Sequence, residues 1–113
     1  MEPQTTQRPW GEFRQFTHNE PVTVKLILVK AGECLSLQHH THREEFWRVL
    51  SGTPRITIGE RVVEAKAGDE FTISATVAHR IEAVGADTEL LEIARGVFDE
   101  EDIVRLEDKY GRV

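Results

Sequence analysis

The sequence predicts an all-β fold, a sandwich or barrel of short strands followed by one C-terminal helix. Three observations carry this. Short runs rich in β-branched and apolar residues recur along the chain, such as VTVKLILVK (22–30) and RITIG (55–59). Glycine-bearing turn signals fall between the runs, at Ala31-Gly32, Gly52, Gly59-Glu60, Gly68 and Gly85. CLSLQHH (34–40) begins with strict alternation, the period of a strand whose side chains point to opposite faces. Many short strands separated by turns read as a sandwich or barrel.

In chain order, residues 1–16 form an N-terminal arm, polar and irregular over 1–9 with two prolines. VTVKLILVK reads as a strand buried on both faces. In CLSLQHH, Cys34, Ser36, Gln38 and His40 share one face and Leu35 and Leu37 the other. EFWRVLSG (45–52) is a strand ending in Gly52. RITIG and RVVEAK (61–66) flank Gly59-Glu60, a hairpin signal. AGDEFTI (67–73), AHRIEAV (78–84) and TELLEIA (88–94) continue the series, so that the barrel spans 22–96. A helix is expected over 99–110. Asp99 is its N-cap candidate, acids crowd the first turn where the helix dipole favours them, and Ile103, Leu106 and Tyr110 share a face.

The chain's 113 residues suit a single domain, 1–113, large enough to bury a core without cross-links. Its net charge of -6 argues against nucleic acid or an anionic membrane as partner. An anionic small molecule stays open, because a few arginines can outweigh the overall field locally. The single cysteine, Cys34, excludes an intrachain disulfide. No apolar run reaches membrane-spanning length and the start MEPQTTQRPW lacks a signal-peptide core, so a cytoplasmic location is expected.

The chemistry concentrates in LSLQHHTHREEFW (35–47). Residues two apart on a strand point the same way, so Gln38, His40 and His42 converge on one point or line a groove, if the strand runs that far. Histidine and carboxylate are standard ligands of divalent metals, and a glutamine carbonyl oxygen can join them.

The spacing Gly32, five residues, Gln38, one residue, His40, four residues, Glu45, six residues, Gly52 resembles the first motif of the cupin family, with glutamine for its first histidine. Gly68 and His79, eleven apart, resemble the second motif. There Ser74-Ala75-Thr76 replaces the usual Pro-x-Gly turn and Ala83 the late asparagine. RPWG (8–11), VKLILVKAG (24–32), LSLQHHTHREEFW, SGT (51–53), HRI (79–81) and EDIVRLEDKYGR (101–112) together look like the type II mannose-6-phosphate isomerase domain. That domain is often the C-terminal part of a bifunctional enzyme whose other part is a mannose-1-phosphate guanylyltransferase. A nucleotidyltransferase does not fit in 113 residues, so a stand-alone isomerase-like domain is expected. Phe46 departs from the histidine usual in this family.

The resemblance implies a cupin double-stranded β-helix, a jelly-roll barrel, and a homodimer. It implies a metal set of Gln38, His40, Glu45 and His79. Zinc suits this set best, with manganese, cobalt, nickel or iron as alternatives. It also implies isomerisation of a sugar phosphate, mannose 6-phosphate to fructose 6-phosphate, through an enediol. His42 is the candidate base, or else a residue orienting a ligand or facing solvent. Arg43 offers a planar fork for phosphate, or makes a structural ion pair. Lys25 reaches the barrel mouth if the face it shares with Ile27 and Val29 lines the barrel; otherwise it snorkels outward. In the family an arginine of the DIVR tail is associated with activity, and Arg105 holds that place. A surface row with Glu101 and Asp108 would explain it equally. Arg112 resembles the tail's final arginine, and Trp47 and Trp10 read as packing residues. Two other classes compete: a cupin that binds a sugar phosphate or nucleotide sugar without turnover, and an iron dioxygenase. Gln38 speaks against the dioxygenase, whose sites usually present three histidines.

Overall fold

A computed structural model of the chain describes residues 2–112. Among them lie eleven strands and no helix. Strands β1 (Gln4–Arg8) and β2 (Gly11–Gln15) pair as an antiparallel ribbon, so the expected irregular arm is a hairpin. β3 (Val22–Val29), β10 (Thr88–Gly96), β5 (Arg43–Ser51) and β8 (Glu70–Ile73) form a four-stranded antiparallel sheet in that order. β11 (Val104–Glu107), β4 (Leu37–His39), β9 (His79–Glu82), β6 (Arg55–Ile58) and β7 (Arg61–Glu64) form the second sheet.

The two sheets close over one core. Val29, Trp47, Val49, Ile73 and Leu90 come from the first sheet, and Ile56 and Ile81 from the second. Burying each such side chain is worth roughly 1.5–3 kcal/mol. The expected hairpin at Gly59-Glu60 is present, with Ile58 opposite Arg61. Gly52 closes the turn after β5 at a φ of +85°, where a Cβ would stand 2.5 Å from the Asp87 carbonyl oxygen. No other residue fits that close approach, which is the physical reason for a glycine seven places after Glu45.

Two further expectations are corrected. β3 is an edge strand and is not buried on both faces. Ile27 and Val29 turn inward, while Val24, Leu26 and Leu28 are 58%, 66% and 54% exposed. The helix at 99–110 does not form. Asp99 does cap a turn, its carboxylate accepting from the Glu101 N–H at 2.9 Å, but the turn stops there. Val104–Glu107 then extends and pairs with β4, Val104 opposite His39 and Arg105 opposite Gln38. Helical ion pairs contribute only about 0.2–0.5 kcal/mol each, so the open edge of β4 prevails over local helix propensity.

Candidate metal centre

Three buried ligand-type residues meet at one end of the core. His40 lies just past β4, Glu45 is on the inner face of β5, and His79 opens β9. Their ligand atoms all fall within 4.8 Å of one another. His40 Nε2 is 3.4 Å from Glu45 Oε1, and His79 Nε2 is 3.7 Å from Glu45 Oε2. Ligands each about 2.1 Å from a common tetrahedral ion lie about 3.4 Å apart, so these spacings suit a shared cation.

The hydrogen bonds around the histidines fit the same purpose. His40 Nδ1 donates to the Asp102 carbonyl at 2.6 Å, and His79 Nδ1 donates to the Val77 carbonyl at 2.9 Å. A carbonyl can only accept, so in each ring the proton sits on Nδ1 and the Nε2 lone pair faces the site. Metal-bound histidines are typically oriented this way by a carbonyl or carboxylate behind them. His79 Nε2 is buried with no hydrogen-bond partner among the described residues. Burial depresses the pKa of both imidazoles, which keeps the lone pairs available near neutral pH. The Trp47 indole N–H donates to Glu45 Oε2 at 3.1 Å, fixing the carboxylate from inside the core. The residues therefore fit a divalent metal, and His40, Glu45 and His79 could hold one.

Gln38 stands opposite His79 in the sheet register. Its Oε1 accepts from Ser36 Oγ at 2.5 Å and its Nε2 donates to His40 Nε2 at 3.3 Å. A half-turn of the amide presents the oxygen to the site and lets the NH2 donate to Ser36. Thr76 closes the loop before β9 with its N–H donating to the His40 carbonyl at 2.6 Å. Its φ is +73°, so a β-branched residue occupies the left-handed conformation where the related motif has glycine.

A cavity of about 230 Å³ opens beside Gln38 and Glu45. Lys25, Gln38, Arg43, Glu45, Glu92 and Arg105 line it, with Arg112 and Glu100 also on the wall. Lys25 does share the inward face of β3 with Ile27, as one reading of the strand required. Its ammonium lies 3.2 Å from Glu100 and 4.2 Å from the centre of the Phe98 ring. Arg43 turns inward, its Nε donating to Glu45 Oε1 at 3.2 Å and its Nη2 to His40 Nε2 at 3.1 Å. The structural ion pair expected as one alternative is thus present. Arg105 reaches the cavity with its Nε buried and unpartnered among the described residues, and without a helix the row with Glu101 and Asp108 is not made. A larger groove of about 650 Å³ lies between Pro21–Thr23 and Arg95–Phe98. Its two ionisable residues, Glu20 and Arg95, satisfy each other at 2.7 Å, and it holds no ligand cluster.

His42 is not brought to the cavity. β4 ends at His39, and Asp102 takes the Thr41 and His42 backbone N–H groups on its two carboxylate oxygens, both at 2.9 Å, leaving His42 exposed. Two residues escaped the sequence reading. Asp102 was hidden by the expected helix. Glu92 lies in TELLEIA, where apolar residues on both faces mask the period, although a glutamate in step with Leu90 and Ala94 was a usable signal.

The family described as "Mannose-6-phosphate isomerase C-terminal" matches residues 2–108. The chain belongs to this family. It is 43% identical over 107 residues to the xanthan biosynthesis protein XanB of Xanthomonas campestris pv. campestris, covering 93% of this chain and 23% of that protein. It is 41% identical over 108 residues to the mannose-1-phosphate guanylyltransferase ManC of Salmonella typhimurium, covering 94% of this chain and 22% of that protein. The chain thus spans less than a quarter of the length of these relatives. A cupin protein from Bacteroides fragilis superposes with a TM-score of 0.60 at 22% identity, over 74% of this chain and 82% of that one. The expected cupin β-fold is therefore present in this member of the family, without the C-terminal helix.

Proposed function

We propose that this domain is a metal-dependent aldose–ketose isomerase acting on a sugar phosphate, with mannose 6-phosphate and fructose 6-phosphate as the pair. The observation that carries the reading is the junction of two features. The His40, Glu45 and His79 cluster meets, at Glu45, a cavity that Lys25, Arg43, Arg105 and Arg112 also line. Gln38 completes the ligand set, and zinc is the metal of first choice. When bound, the cation supplies Lewis acidity toward the carbonyl and adjacent hydroxyl oxygens of the sugar. Arg105, with Lys25, is the phosphate grip, because its buried Nε lacks a partner that a phosphate oxygen would provide. Arg43 is held beside the ligands, where its charge favours a developing enediolate.

Metal analysis of protein purified without added metal, paired with a coupled isomerase assay, tests this. Stoichiometric metal and interconversion of the two sugars are expected. A fully metal-loaded protein that converts neither sugar overturns the reading.

One observation favours a second reading, a binding module without turnover. Arg43 bonds both Glu45 and His40, filling space beside the cluster. Calorimetry showing tight sugar-phosphate binding in a protein without turnover would select it.

A further inference from the structure

The wall of the cavity holds a second buried carboxylate besides the candidate ligand. On β10, Thr88, Leu90, Glu92 and Ala94 alternate onto the inner face. Glu92 is only 6% exposed, yet it lines the cavity together with Lys25, Gln38, Arg43 and Glu45. The sheet register sets it between Lys25 of β3 and Trp47 of β5. Among the described residues it enters no hydrogen bond and no ion pair. The nearby donors are committed elsewhere. The Lys25 ammonium pairs with Glu100, the Arg43 Nε with Glu45, and the Trp47 N–H with Glu45. Lys25 and Arg43 act on it through their charge, yet no donor among the described residues bonds it, and a purely structural glutamate at a core position would be expected to have hydrogen bonds.

We propose that Glu92 is the group that carries the proton between C1 and C2 of the sugar phosphate. This rests on the isomerase reading above. In the forward direction the carboxylate takes the proton from C2. The C2–H electron pair becomes the C1–C2 double bond, and the π pair of the C1 carbonyl moves onto O1. In the return step the C1–C2 π pair takes that proton from Glu92 to form the new C1–H bond, the O2–H proton passes to O1, and the O2–H electron pair becomes the second bond of the C2 carbonyl. Two hydrogens change places and no other reactant is needed. Other candidates are less well placed. His42 is exposed and outside the cavity, while Glu45 accepts from Trp47 and Arg43 and sits between the two histidines. Lys25 and Arg43 flank the same cavity with the positive charge an enediolate intermediate needs.

The test uses the full chain loaded with zinc, and compares wild type with Glu92→Gln on mannose 6-phosphate. Metal content and thermal unfolding are measured alongside. The variant is expected to keep its metal, to hold KM within about threefold, and to lose at least about 100-fold in kcat, the typical weight of a positioned acid–base group. Loss of deuterium from C2 of labelled mannose 6-phosphate, to C1 or to solvent, should fall in parallel, a loss that mere loosening of the core would not produce at constant KM. Glu92→Asp keeps the carboxyl but draws it back by one methylene, and about a tenfold loss in kcat is expected. Should Glu92→Gln not fold, an unchanged kcat in Glu92→Asp overturns the proposal. An active wild type with kcat in Glu92→Gln within about threefold also overturns it, and leaves the isomerase reading standing. An inactive, metal-loaded wild type removes both.

Discussion

At the scale of single residues, Glu92 and Thr76 each make a measurable claim. Burial, followed by the negative charge of Glu45, pushes the Glu92 carboxyl up to about 7 from its ordinary 4.5. Between these two values the folded chain keeps a proton that the unfolded chain has released. Folded protein then binds more protons, so this group's contribution is full below about pH 4.5 and is lost as the pH rises to about 7. The loss is on the order of 3 kcal/mol, at about 1.4 kcal/mol per unit. Urea unfolding of metal-free protein at pH 5 and pH 8 checks it: the stability difference between wild type and Glu92→Gln should move in the variant's favour at the higher pH. Thr76 offers an opposite kind of change. Its left-handed backbone disfavours a β-branched residue, so Thr76→Gly is expected to raise stability by about 1 kcal/mol, read as a higher denaturant midpoint at unchanged slope. A fall in the midpoint would show that the Thr76 side chain contributes more than its backbone strain costs. The sequence made His40, Glu45 and His79 legible because motif spacing preserves which strand ends meet. It could not show that Thr76 takes a positive φ, although the missing Pro-x-Gly marked the place.

At the scale of elements, the strands were legible where turn signals bounded them, as at Gly59-Glu60. The tail was not. Its acidic start and the spacing of Ile103, Leu106 and Tyr110 satisfy a helical pattern as well as an extended one, and the choice rests on a partner strand some 65 residues earlier, Leu37–His39. Non-local pairing of this kind leaves no trace in local periodicity. Likewise, VTVKLILVK is apolar on both faces, but only the sheet order makes β3 an edge. The outward face of β3 was therefore misjudged, while the inward placement of Lys25 was one of the two readings the sequence left open.

For the whole molecule, that edge matters. Val24, Leu26 and Leu28 form an exposed apolar row along a strand edge that no other strand among the described residues pairs, an arrangement that isolated proteins usually cover or charge. A second copy offers the same row, and a two-fold pairing covers both at once. Light scattering is expected to give twice the 12.9 kDa chain mass, and Leu26→Glu to return the monomer. A wild-type monomer at high micromolar concentration would remove this expectation.

The Asp102 contacts reach further than their size. One tail residue holds the Thr41 and His42 N–H groups with its carboxylate and the His40 ring with its carbonyl. Whatever favours a correctly aimed His40 must favour a docked tail by the same factor, because binding free energies around a closed cycle are reciprocal. Metal loading should thus slow hydrogen exchange across residues 99–107, and Asp102→Ala should weaken zinc affinity at a residue that never touches the ion. The tail, which also delivers Arg105, is then a latch whose closure the cation itself reports.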